Sequence, residues 1–276
     1  MERRTRVYPA RKPFSRWISL FLLLLSAVLM VSGVVLPHSQ DGLSILRIPQ
    51  ATTPPVDTPF DDAPASREIT LPSSQWYALQ LGAFEDAEAA RKCADQFTAR
   101  GAGGYIWQDA RYRVLAAVYP LKEDAQQVRQ QLDSQHGVDS YLYSVDLPAL
   151  KLRLNGMQGQ LDILEAAFVH ASDLVVQLQR LSVLMDRQER SVDEVLTETA
   201  QIGQLLQAVS QRLKQRFAVP RPACVEGLIA SFDSFLSFAL DMDSSASSVR
   251  LGSALKRQTL SSLHALKQIY DTLGNT

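Results

Sequence analysis

The sequence repeats itself once at an offset of 35 residues, and this constrains its fold more than any other feature. Shifted by that amount, Tyr77 falls on Tyr112, Leu79 on Val114, Phe84 on Tyr119, Ala90 on Ala125, Cys93 on Val128 and Phe97 on Leu132. Each copy opens on an alternating run and continues into apolar positions three and four apart, a strand and then a helix. Trp76 to Gly82 reads as the first strand, and Asp86 to Arg100 as a helix closed by Gly101 to Gly104. Tyr105 to Gln108 and Tyr112 to Tyr119 read as strands, Lys122 to Gln135 as the second helix, and Ser140 to Val145 as the fourth strand. Two β-α-β units in succession predict a ferredoxin-like β-α-β-β-α-β domain over residues 74–146, with one antiparallel sheet and both helices on one face.

Strand alternation divides the side chains between the two faces of that sheet. Tyr77, Leu79, Leu81, Tyr112, Val114 and Ala116 are expected to point at the helices. Ala78, Gln80, Gly82, Arg111, Arg113, Leu115 and Ala117 are expected on the other face. A bare face carrying a glutamine, two arginines and small residues is a candidate ligand platform.

Ahead of this domain, Trp17 to Leu36 is twenty residues without a charge. At about 1.5 Å per residue a helix of that length spans roughly 30 Å, the hydrocarbon thickness of a bilayer. Residues 1–16 hold six basic residues (Arg3, Arg4, Arg6, Arg11, Lys12, Arg16) against Glu2 alone. That asymmetry predicts a cytoplasmic tail (1–16), a transmembrane helix (17–36) and everything later outside the membrane. A cleavable signal peptide is the rival reading, with Val31-Ser32-Gly33 as its best cleavage site. Both send the rest of the chain outward. Residues 37–73 hold seven of the thirteen prolines and too few apolar residues for a core, and so read as a disordered linker. About 36 such residues would span roughly 30–35 Å as a coil.

After the small domain, residues 147–276 predict a short strand and then a helical bundle. Leu150 to Leu154 alternates and ends at Asn155-Gly156, a turn signal. From Gln158 the period is helical through Leu161, Leu164, Phe168, Val175, Leu178, Leu181 and Met185. Ser191 to Glu194 is a capping box that starts a further helix. Val192, Val195, Thr199, Ile202, Leu206, Val209 and Leu213 then form a seam ended by Pro220 and Pro222. Helices near Ala223–Asp243 and Val249–Leu273 flank the serine-rich 244–248. These stripes either pack into one bundle or use residues 158–217 as a coiled coil for a protein partner or self-association.

Charge and chemistry narrow the function classes. Beyond residue 16 the regional balances are two basic against five acidic, seven against ten, and thirteen against thirteen, so no basic face for nucleic acid is expected. Cys93 and Cys224 are too few for a disulfide framework, and the four histidines are scattered without ligand spacing. No nucleophile motif, phosphate loop or carboxylate pair stands out. No catalytic residue, metal or cofactor is expected.

Tyr77-Ala78-Leu79-Gln80-Leu81-Gly82-Ala83-Phe84, the helix start that follows it and Tyr112 to Ala125 (YRVLAAVYPLKEDA) resemble the SPOR (sporulation-related repeat) domain family. The resemblance covers about a quarter of the chain and implies binding of peptidoglycan glycan strands stripped of their stem peptides, at division septa or sporulation sites. By it, Gln80 matches the family's strand-one glutamine, Arg113 the arginine of its Arg-Val segment, and Arg111 an exposed contributor. Ala117 stands where the family often has glycine. An amide suits sugar hydroxyls and N-acetyl groups, and guanidinium suits lactyl carboxylates. Tyr105 or Trp107 could stack on a sugar ring if their strand turns them outward. Each also has an ordinary role, as a solvated strand residue, a surface charge or a packing aromatic. The chain is therefore expected to be a non-catalytic, membrane-anchored glycan binder of the cell envelope. The alternative is an envelope scaffold whose bundle recruits proteins while the small domain is structural only.

Overall fold

The computed structural model describes residues 63–243 and 245–275, so the expected cytoplasmic tail, transmembrane helix and most of the linker lie outside the described residues. In chain order the elements are β1 (Pro64–Leu71), β2 (Ser74–Phe84), α1 (Ala87–Thr98), β3 (Tyr105–Gln108), β4 (Tyr112–Tyr119), α2 (Lys122–His136), β5 (Tyr141–Leu147), β6 (Leu150–Met157), α3 (Gln158–Asp186), α4 (Val192–Arg216), α5 (Ala223–Leu240) and α6 (Ser248–Gly274).

The end of the expected linker is a strand. β1 pairs antiparallel with β6, from Pro64 opposite Met157 to Leu71 opposite Leu150. Pro64 is its first residue, a position that tolerates the missing N–H. Ile69 and Leu71, each 5% exposed, give it an apolar edge that the core takes up. Arg67 reaches onto α3, with Nη2 donating to Asp162 Oδ1 at 2.7 Å and Nη1 to Glu165 Oε2 at 2.8 Å. The turn expected at Asn155-Gly156 does not form, because these residues pair with Ser66 and Ala65 and the ladder continues through them.

The repeat folds as predicted into a four-stranded antiparallel sheet, ordered β3-β4-β2-β5. Asp86 caps α1 by accepting from the Ala89 amide at 2.8 Å. Ala90, Ala94 and Val114 pack under α1, and Leu79, Ala116, Ala117, Tyr119 and Ala125 under α2. Alternation is interrupted where β2 runs beside β4. From Ala78 to Gln80 is two steps on β2 and three on β4 (Val118 to Leu115). From Gln80 to Gly82 is two steps against one (Leu115 to Val114). These offsets cancel, as a bulge on each strand would. They turn Ala117 to the helix side, opposite to expectation, and bring Val118 to the other face.

The second half is a four-helix bundle. The stripe on α3 is buried from Leu161 to Met185, and the seam on α4 is buried from Val195 to Leu213. The α4 seam closes inside the chain's own bundle, the first of the two expected arrangements. Ser191 and Glu194 make the predicted capping box, with Ser191 N donating to Glu194 Oε2 at 2.8 Å. Among the described residues α5 alone is long and apolar enough to cross a membrane, with mean hydropathy 1.5. It is a bundle helix here, with Val225, Leu228, Phe232 and Phe235 all at 0% exposure.

The sheet and the bundle share one core. Trp76, Ala78, Leu115, Val118, Val145 and Leu147, on the face away from α1 and α2, belong to the same buried cluster as the bundle helices. The helix that crosses this face is α6. Its Ser253 hydroxyl donates to Ala102 O at 2.6 Å and Lys256 Nζ to Gly101 O at 3.0 Å. Near its other end, the Tyr270 hydroxyl donates to Pro72 O at 3.1 Å. Gly103 permits the close approach, since a Cβ there would lie 3.0 Å from both Ala116 O and Arg257 N. The platform expected to be bare is therefore largely covered.

Candidate functional site

The uncovered part of the face lies where β3 turns into β4. Asp109 builds that turn, its amide donating to Arg111 O at 3.1 Å and its Oδ1 accepting from the Arg111 amide at 2.9 Å. Its second oxygen, Oδ2, accepts from Arg113 Nε at 2.7 Å and from the Tyr143 hydroxyl at 3.1 Å. Arg113 Nη1 donates to Gln80 Oε1 at 2.9 Å, and the guanidinium carbon lies 4.8 Å from the Tyr143 ring centroid. Four residues from three strands and a turn are thus held as one network, with Arg113 at its centre.

Electrostatics keep the network charged. Partial burial raises the pKa of Asp109, but the hydrogen bonds from Arg113, the Arg111 amide and Tyr143 outweigh it, and the net shift is downward. Burial and the Asp109 charge together push the Tyr143 phenol up, so it stays a donor. An Asp-held guanidinium spread over an aromatic ring is a rigid cation with little rotamer freedom left to lose on binding.

Of the residues predicted from the sequence, Gln80 and Arg113 are brought together directly. Arg111 meets the network only through its backbone, and its side chain is not joined to them. It is 55% exposed at the turn and ion-pairs with Glu85 at 3.8 Å. Tyr105 and Trp107 do face away from α1 and α2, yet α6 lies over them. Trp107 is 5% exposed and stacks on His264, and the Tyr105 hydroxyl hydrogen-bonds His264 Nδ1 at 2.9 Å. Burial raises the Tyr105 phenol and lowers the His264 imidazole.

Three residues were missed. Asp109 builds the turn and holds Arg113, Tyr143 completes the network, and Tyr141, 56% exposed, stands opposite Gln80 in the β2–β5 register. Alternation around Leu142, which packs on the helix side, was the available signal for the two tyrosines.

Comparison with known proteins agrees with the fold. Residues 73–144 match the SPOR domain family, whose members are peptidoglycan-binding modules and not catalysts. No curated protein and no solved structure matches the chain. The matched segment runs from the start of β2 into β5, taking in both helices and every residue of the network. The chain carries a SPOR domain at residues 73–144.

Proposed function

We propose that this is a non-catalytic, membrane-anchored protein of the bacterial cell envelope that binds glycan strands of peptidoglycan freed of stem peptides, in division or sporulation. Residues 17–36 anchor it, residues 1–16 stay in the cytoplasm, and the SPOR domain and bundle lie outside. The observation that carries the binding reading is the Gln80–Arg113–Asp109–Tyr143 network at the open end of a SPOR sheet. Gln80 Nε2 and the remaining guanidinium N–H groups suit hydroxyl, N-acetyl and lactyl carboxylate oxygens, and Tyr141 offers a ring to a sugar face.

Co-sedimentation of the full chain with sacculi, intact or stripped by an amidase, tests this. Stronger retention on stripped sacculi is expected. Equal retention on both would count against recognition of bare glycan. The cover formed by α6 favours a second reading, in which the bundle recruits envelope proteins and the SPOR domain only supports it. Under that reading neither form of sacculus retains the chain.

A further inference from the structure

The face of the sheet is divided by burial. Ala78 and Leu115 are 0% exposed, Val145 and Leu147 2%, Val118 4% and Trp76 6%, all beneath the bundle. Gln80, Gly82, Arg113 and Tyr143 are half-buried, and Tyr141 and Asp109 are exposed. The border runs through the Trp107–His264 stack, whose rings lie 4.0 Å apart.

Three observations say that α6 is a fixed wall and not a lid. Its apolar face, including Leu255, Leu260 and Leu263 at 0% exposure, lies in the same core that holds the bundle together. Its backbone approaches Gly103 too closely for a side chain to intervene. Lys256 is clamped at once by Gly101 O and by Asp186 of α3 at 2.6 Å. Lifting α6 would expose the centre of the fold.

We infer that α6 shortens the glycan site of this chain to the rim formed by Gln80, Arg113, Tyr141 and Tyr143, so that it takes a short segment or chain end and not a strand laid across the sheet. This rests on the glycan-binding reading above. The rim spans β4, β2 and β5, two inter-strand spacings or about 10 Å, room for about two sugar rings. Sugars beyond that length would meet α6 or solvent and add little contact. Trp107 and Tyr105 are withdrawn from the ligand, and Tyr141 is the ring that remains to it.

The test is a titration of the full chain with peptide-free glycan oligosaccharides of defined length. Affinity is expected to reach its plateau by the tetrasaccharide. The octasaccharide should gain no more than about threefold, the statistical gain from extra binding registers. Tyr141→Ala should weaken every length by about tenfold, while Tyr105→Phe stays within about twofold of wild type. An affinity that climbs a further tenfold or so from tetrasaccharide to octasaccharide would overturn the short site and leave glycan binding standing. Sensitivity to Tyr105→Phe with none to Tyr141→Ala would also overturn it, by placing the ligand under α6. Failure of every oligosaccharide to bind would reject the glycan reading itself, and this inference with it.

Discussion

The Trp107 indole lies flat against the His264 imidazole, with centroids 4.0 Å and planes 20° apart. These residues come from the SPOR domain and from the last helix, so the stack joins two parts of the chain that the sequence keeps well separated. Burial disfavours the imidazolium and lowers the His264 pKa from its ordinary 6.5. Well above pH 6.5, from about pH 7.5 upward, the ring is neutral in both folded and unfolded chains, and its contribution to stability is complete. As the pH falls towards the folded value the unfolded chain takes up the proton first, and stability is lost. Denaturation midpoints should therefore fall between about pH 7.5 and 5, and His264→Gln should flatten part of that slope. His170 is shifted the same way by burial and accounts for part of the remainder. An unchanged slope in the variant would show that His264 stays uncharged or equally hydrated in both states.

Gly103 makes a separate prediction about the same contact. Gly103→Ala places a methyl 3.0 Å from two backbone atoms, one on β4 and one on α6, neither of which can swing aside. The expected cost is about 1–3 kcal/mol, read from chemical denaturation, with faster amide exchange along α6. A neutral substitution would mean that α6 sits less tightly on the sheet than its geometry shows.

β1 tests which force holds the amino-terminal strand. Ile69→Ala removes a buried side chain and should cost about 2–4 kcal/mol. Arg67→Ala breaks two ion pairs whose acidic partners are 56% and 49% exposed, and should cost clearly less than the loss of Ile69. If the arginine variant proved the worse of the two, charge and not apolar burial would be holding β1.

The two arginines separate the network from its surroundings. Arg113 is fixed by Asp109 and Gln80, whereas Arg111 projects from the turn toward Glu85. Arg113→Ala should lower retention on stripped sacculi by about tenfold or more, and Arg111→Ala by about twofold at most. Equal losses would assign the effect to general positive charge.

The elements that a local pattern can specify were legible in the sequence. The 35-residue repeat predicted the sheet and its two helices, and the Ser191–Glu194 box set the start of α4. β1 was hidden because Pro64 stands among the linker prolines, and its apolar edge is only Ile69 and Leu71. Its partner β6 read as a strand with a turn after it, because a long-range pairing leaves no trace in the turn chemistry of Asn155-Gly156. The bulges were hidden because Ala116 and Ala117 look alike to an alternation rule. Gln80 and Arg113 were found through the resemblance. What made them a site, the Asp109 turn and Tyr143 reaching across from β5, depends on tertiary structure. The covering of the sheet by α6 was invisible for the same reason. An amphipathic helix shows that it has an apolar face, not which surface that face will meet.

The proposed binding of bare glycan rests on the Gln80–Arg113 network. The most direct measurement is retention on amidase-stripped sacculi of the Gln80→Ala, Arg113→Ala double variant beside wild type, with thermal denaturation confirming that both are folded. The folded variant should be lost from the stripped sacculi while wild type is retained. A folded double variant that is retained as well as wild type would contradict it.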